Sequence, residues 1–153
     1  MVKELVENSL DAGATRVCVA YDDNGSHRIE VSDNGWGLPA AEAGRAFERY
    51  ATSKLRTLEE LTGVSTFGFR GEALASIAAV SGVELVTRTG TDEAGTRVVA
   101  GPAGVSRPQP AASPAGTRVV VADLFADTPA RRKFLRSKRA EYGQIADTVR
   151  RFA

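Results

Sequence analysis

Apolar side chains at Val2, Leu5, Val6 and Leu10, with Ser9 among them, follow the i, i+3, i+4, i+7, i+8 spacing of a helix that buries one stripe. Gly13 suits the C-terminal end of that helix. The period then falls to two. "TRVCVAY" sets Val17, Val19 and Tyr21 on one face, and "HRIEVSD" does the same with Ile29 and Val31. Between them lies the Asn24-Gly25 dipeptide of a tight hairpin turn. A helix is predicted from Pro39 to about Tyr50, then a long irregular connection over 51–70. "GEALASIAAV" from Gly71 has helical spacing through Leu74, Ile77 and Ala78. "VELVTRT" and "GTRVVA" read as paired strands, "TRVVVADLF" as a β-branched strand, and helices close the chain from about Thr128. The segment 101–116, with four of the six prolines, reads as an exposed loop carrying at most a frayed strand. Helices and strands in this order predict an α+β fold.

Composition narrows the setting. The chain has 153 residues, enough for one domain with a real core, and its 42% hydrophobic and 25% charged content is that of an ordinary globular protein. No apolar run approaches the length needed to span a bilayer. A lone cysteine, Cys18, excludes an internal disulfide framework and a cysteine-built metal site, and it is expected to be a packed thiol in a reducing, cytoplasmic compartment. Net charge is +1, unevenly spread: residues 1–130 hold 12 Lys and Arg against 17 Asp and Glu, residues 131–153 hold 8 against 2. Both ends are expected to be cut, because helical patterning begins at Val2 without a capping residue and "QIADTVRRFA" lacks a stop signal.

Four stretches could carry chemistry. On the first helix Glu4, Asn8 and Asp11 fall on one flank, where a carboxylate and an amide oxygen could orient a water or hold a hydrated Mg²⁺. Taken alone, that flank is more simply a solvated helix edge. In "SDNGWG" the alternation turns Asp33 inward with Ile29 and Val31, a buried acceptor suited to an exocyclic amino group such as adenine N6. Its plain alternative is an Asp-Asn-Gly turn capping its own backbone. "GFRGEALASI" leads glycines into a helix start where free N–H groups favour phosphate, with two hydroxyls and a cation upstream in "ATSK". Absence of GxxxxGK[ST] excludes a P-loop. In "AGTRVVV", Thr117 shares an inward face with Val119 and Val121. Trp36 either walls the base site or covers the sheet edge, and His27 has no acid or nucleophile near it in sequence.

Together, "KELVENSLDAGAT", "DNGWG", "YATSK", "GFRGEALASI" and "LFADTPARRKFLR" resemble the N-terminal ATPase region of the MutL family of DNA mismatch repair proteins, within the GHKL superfamily of gyrase, ninety-kilodalton heat-shock chaperones and sensor histidine kinases. The resemblance runs from Val2 to the last residues; Asp127 stands where the family usually shows Asn. It implies a GHKL (Bergerat) ATP-binding fold over 1–153, an α/β sandwich with helices on one face of a mixed, mainly antiparallel sheet. It also implies that a leading segment and a following domain, which supplies a lysine to the terminal phosphate, lie outside this chain.

By the same resemblance Glu4 is the general base for the attacking water, and Asn8 is the ligand of the Mg²⁺ that bridges the ATP phosphates. Asp33 accepts from the adenine amino group, Gly35 and Gly37 shape the base pocket, and Thr117 stands beside Asp33. Thr52, Ser53 and Lys54, with Gly68, Phe69, Arg70, Gly71, Glu72, Ala73 and Leu74, form the lid and phosphate-binding segment. The implied activity is ATP hydrolysis as a switch between mismatch recognition and strand incision. The implied partners are ATP, DNA, a MutS-type recognition protein and, in the intact protein, a second copy. Arg131, Arg132 and Lys133 open a basic run that either contacts DNA phosphates or forms a solvated helix face. A different class of reading makes the chain a catalytically incompetent fragment that binds DNA or partners through that run.

Overall fold

A computed structural model describes residues 1–22, 28–48, 72–123 and 138–152. Helix α1 (Val2–Asp11) buries Val2, Leu5, Val6 and Ser9. It ends where Gly13 takes a φ of +69°. The Gly13 N–H donates to the Leu10 carbonyl at 2.9 Å and the Ala14 N–H to the Ser9 carbonyl at 3.1 Å, the paired bonds of a glycine-terminated helix. Leu10, expected in the buried stripe, is 43% exposed, because the stripe stays centred on Val2 and Ser9 and leaves Leu10 at its outer margin.

Strands β1 (Val17–Asp22) and β2 (Arg28–Asp33) form the predicted hairpin, paired from Val17↔Asp33 to Asp22↔Arg28. Helix α2 (Ala40–Ala43) is shorter than expected. After Gly44 the chain continues in tighter turns, Arg45 N–H to Glu42 carbonyl and Glu48 N–H to Arg45 carbonyl. A glycine weakens helix at that point, and its missing Cβ leaves room for the Pro108 ring. Helix α3 (Ala73–Ala78) buries Ile77 and Ala78. Strands β3 (Gly82–Arg88) and β4 (Gly95–Gly101) pair as predicted. The proline-rich stretch is better anchored than its sequence suggests: β5 (Gly104–Val105) and β6 (Gln109–Ala111) both pair with β4. Strand β7 (Gly116–Ala122) and the closing helix α4 (Lys138–Arg150) complete the described elements.

The seven strands make one sheet in the order β1-β2-β7-β3-β4-β5, with β6 also on β4, and every described pairing is antiparallel. The β-branched β7 lies between β2 and β3, with neighbours on both edges. Register aligns the inward side chains into rows. One runs Val19–Val31–Val119–Leu85–Val98 and the next Tyr21–Ile29–Val121–Val83–Ala100. With α1, α2 and α3 they form the core, against which Ile145 and Phe152 also pack. The predicted helix-on-sheet sandwich is the observed one.

The opposite face carries charge. Arg118 holds Glu30 through two hydrogen bonds of 2.8 and 3.0 Å and reaches Glu84 at 3.2 Å. Arg28 joins Glu30 at 2.8 Å and Arg97 joins Glu84 at 2.7 Å. Hydrogen bonds from Arg118 hold the Glu30 carboxyl below its usual range against the opposing effect of burial, and the same bonds raise Arg118. Val86, flanked in register by Arg118 and Arg97, and Val120, flanked by Glu30 and Glu84, are buried beneath this ladder. Cys18 lies on this face and is exposed. It is not the packed thiol expected, since turning Val17 and Val19 inward forces the residue between them outward.

Candidate functional site

A third inward row continues the two apolar ones: Val17–Asp33–Thr117–Thr87–Thr96. Here the helix-covered face turns from hydrocarbon to polar within one residue pair. Asp33 is the charged member, and its oxygens are fixed from three sides. The Oδ1 atom accepts the Gly35 N–H at 2.9 Å and the Thr117 N–H at 3.2 Å; Oδ2 lies 2.7 Å from the Ser9 hydroxyl. Both readings of "SDNG" therefore hold in part: Asp33 caps its own turn through Gly35 and also faces the covered side of the sheet. A carboxylate offers about four lone-pair sites. Three are taken, so Oδ2 keeps one for an incoming N–H.

Glycines let the backbone close around this carboxylate. A Cβ at Gly35 would stand 2.6 Å from the Ala12 carbonyl oxygen and 3.1 Å from Asp33 Oδ1. Gly37 has a φ of +69°, and a Cβ there would meet the Arg88 carbonyl oxygen at 2.1 Å. Gly116, at +119°, would put one equally close to the Asp33 carbonyl. The loop from Asn34 to Leu38 thus crosses the ends of β2, β7 and β3 in direct contact with their backbone. Asn34 ties it to the chain after α1, accepting from the Thr15 and Arg16 N–H groups at 3.0 and 2.8 Å and donating to the Thr15 hydroxyl at 2.9 Å. Trp36 is 72% exposed with its ring against Gly13. It covers the α1 terminus rather than the sheet edge.

Helix α1 links this end of the sheet to the predicted polar flank. Ser9 is buried and bonded to Asp33; its neighbour Asn8 is half-buried, and the Asn8 side-chain amide makes no hydrogen bond among the described residues. Glu4, one turn earlier, is 55% exposed with Oε2 3.1 Å from the Met1 amino group. No described hydrogen bond joins Glu4 or Asn8 to Asp33 directly; Ser9 is the connection. Among the described residues no group of three or more His, Cys, Asp and Glu could cage a metal. A single hard amide oxygen such as that of Asn8 suits Mg²⁺, which binds through few protein ligands and completes its shell with water and phosphate.

Of the remaining predicted residues, Glu72, Ala73 and Leu74 lie at the start of α3, where Glu72 makes no side-chain cap and Leu74 packs against the core. Thr52, Ser53, Lys54, Gly68, Phe69, Arg70 and Gly71, and likewise Arg131, Arg132, Lys133 and Asp127, lie outside the described residues. Three contributors lie outside the set that the sequence predicts: Ser9, Thr87 and Gly116. Ser9 had a signal, a hydroxyl at the centre of an apolar stripe. Thr87 and Gly116 had none before the strand register was known.

An ATP-binding class of protein is what a sandwich with one such carboxylate at its sheet end matches. Residues 1–100 match the family of histidine kinase-, DNA gyrase B-, and HSP90-like ATPases, and the chain belongs to that family. Within it the similarity is to MutL. The chain is 51% identical over its whole length to the DNA mismatch repair protein MutL of Shewanella amazonensis and 49% identical to that of Desulforamulus reducens. It spans 24% of the length of each. The Aquifex aeolicus MutL ATPase domain complexed with ADP superposes with a TM-score of 0.77 at 31% identity, over 99% of this chain and 52% of that one. The resemblance read from the sequence motifs is borne out.

Proposed function

We propose that this chain is the nucleotide-binding part of a MutL-type mismatch repair protein, in which ATP binding and hydrolysis form a switch between mismatch recognition and strand incision. The observation that carries the proposal is Asp33: a carboxylate on the helix-covered face at the end of β2, held by Ser9, Gly35 and Thr117, with one acceptor position left on Oδ2. That position fits the 6-amino group of adenine, with Gly35 and Gly37 allowing the base to lie close to the backbone.

From there the phosphates extend along α1. Phosphoryl transfer to water calls for positioning and charge neutralisation rather than covalent chemistry. Asn8 would hold Mg²⁺, which supplies that neutralisation when bound. Glu4, exposed and one turn away, would orient the attacking water and take its proton. Its rigid i, i+4 relation to Asn8 fixes the base relative to the phosphates. The stretches Thr52–Lys54 and Gly68–Leu74 would contribute the phosphate-binding and lid contacts, and Arg131–Lys133 a contact to DNA phosphates. In the whole protein the switch would act on a second copy of itself and on a MutS-type partner, in the bacterial cytosol.

Calorimetric titration with ATP, with and without Mg²⁺, tests the reading. Asp33→Ala removes the acceptor and should lower ATP affinity by about a hundredfold or more, since a partnered charged group is lost at the base. Glu4→Ala should bind ATP normally and, in the whole protein, lower turnover by roughly 10²–10⁴-fold. Normal turnover by Glu4→Ala would remove the general base; unchanged affinity in Asp33→Ala would remove the base pocket.

A further inference from the structure

The polar row contains one member that no ligand can touch. Thr87 is 0% exposed, yet its hydroxyl has three polar neighbours. The Leu38 N–H donates to it at 2.8 Å, the Gly116 carbonyl lies 3.2 Å away and the Thr117 hydroxyl 2.9 Å away. A hydroxyl has one proton and two acceptor lone pairs. Leu38 occupies one lone pair. If the Thr87 proton goes to Gly116, the other lone pair can be filled only by the proton of Thr117. All three contacts are then real hydrogen bonds. The opposite orientation sends the Thr87 proton to Thr117, empties one Thr87 lone pair and takes this donor from Gly116, where no solvent reaches Thr87 to replace it. Buried polar groups are rarely left in that state.

We infer that Thr87 is a positioning residue that turns the Thr117 proton inward, so that the base end of the site presents acceptors only and selects a purine with a 6-amino group over one with a 6-oxo group. Thr117 is half-buried and stands opposite Asp33 in the β2–β7 register. With its proton committed to Thr87, its two lone pairs and the open position on Asp33 Oδ2 face the ligand. An amino group, with two N–H donors and no acceptor, matches that array. A keto oxygen brings a further acceptor to it. A water bridging Thr117 to the base is constrained too, because it must donate to Thr117. The inference rests on the adenine-nucleotide reading above and adds to it a residue that sets the polarity of the pocket without touching the base.

The test compares affinities for ATP and inosine triphosphate, which differ at the 6-position and the proton on N1, by calorimetry on the protein and its Thr87→Val, Thr87→Ser and Thr117→Val variants. Thr87→Val frees the Thr117 proton to turn outward, and the preference for ATP should fall about three- to tenfold, the range of one neutral hydrogen bond. Thr87→Ser keeps the hydroxyl and should restore the preference. Thr117→Val should lower it alone, and adding Thr87→Val should change it no further. A merely structural role for Thr87 would weaken both nucleotides equally and leave the ratio as it was. An unchanged ratio in folded Thr87→Val overturns the inference, as does an unchanged ratio in Thr117→Val, which decides the matter if Thr87→Val fails to fold. Protein that binds no ATP would sink the nucleotide reading and this inference together. ATP binding that is lost in Asp33→Ala, beside a constant ratio in Thr87→Val, would sink this inference alone.

Discussion

Gly13 and Gly37 share a φ of +69°, which makes them a matched pair for separating backbone strain from close approach. Alanine in that left-handed region costs about 1–2 kcal/mol at either position. The surroundings then differ. At Gly13 the new Cβ would meet the edge of the Trp36 ring at 3.0 Å, and that ring is largely exposed and can swing aside. At Gly37 it would meet the Arg88 carbonyl oxygen at 2.1 Å and its carbon at 2.6 Å, both in the backbone of β3. The loop must lift off the strand, and its bond from the Leu38 N–H to the buried Thr87 hydroxyl goes with it. A buried polar group left without its partner adds about 1–3 kcal/mol. Gly37→Ala should therefore be less stable than Gly13→Ala by that increment in urea unfolding followed by circular dichroism, with similar denaturant slopes. ATP affinity should fall in Gly37→Ala and hold in Gly13→Ala. Stabilities within about 0.5 kcal/mol of each other, the usual scatter of mild substitutions, would refute the close-approach argument.

Two further outcomes follow from the described contacts. Ser9→Ala removes the hydroxyl donor to Asp33 Oδ2 and should weaken ATP binding by roughly tenfold in the same titration, because a bond to a charged acceptor is worth about 1.5–3 kcal/mol and water can replace part of it. On the outer face, Glu30 is held below its ordinary value of 4.5 chiefly by the Arg118 hydrogen bonds. Its pairing therefore contributes stability above about that pH and loses it as pH falls through the lowered value. Arg118→Met should shrink the drop in urea midpoint between pH 6 and pH 3, and an unaltered drop would show that the ladder does not contribute to acid sensitivity.

Much of this site was legible because it sits on two strong periodicities. Helical spacing put Glu4 and Asn8 on one flank of α1, and strand alternation turned Asp33 and Thr117 inward before any pairing was known. What escaped is what depends on pairing. Thr87 is one threonine in an ordinary strand until β3 is set beside β7 and its hydroxyl meets that of Thr117. Gly116 reads as the last residue of an exposed loop until its carbonyl and its positive φ are seen against Thr87 and Asp33. Cys18 departs from expectation for the opposite reason: its apolar neighbours suggest burial, although alternation itself sends it to the outer face, where it is exposed. Pro39 marks where helix α2 starts but not where it stops, and after Gly44 tighter turns keep Phe47 buried without a regular helix.

Strand β7 alternates between two tasks along its length. Thr117, Val119 and Val121 face the helices, while Arg118 anchors the charge ladder on the other side. Slipping β7 by one residue would carry Arg118 to the helix-covered face and Thr117 to the outer one, exchanging the faces of the whole strand. In the slip that puts it in the place of Val119, the guanidinium would lie between Val31 and Leu85 with no counterpart for its five donors. The outer ladder thus weighs on alignment: it opposes the one-residue slips of β7, which would take Arg118 from Glu30 and Glu84 and turn Thr117 away from Asp33.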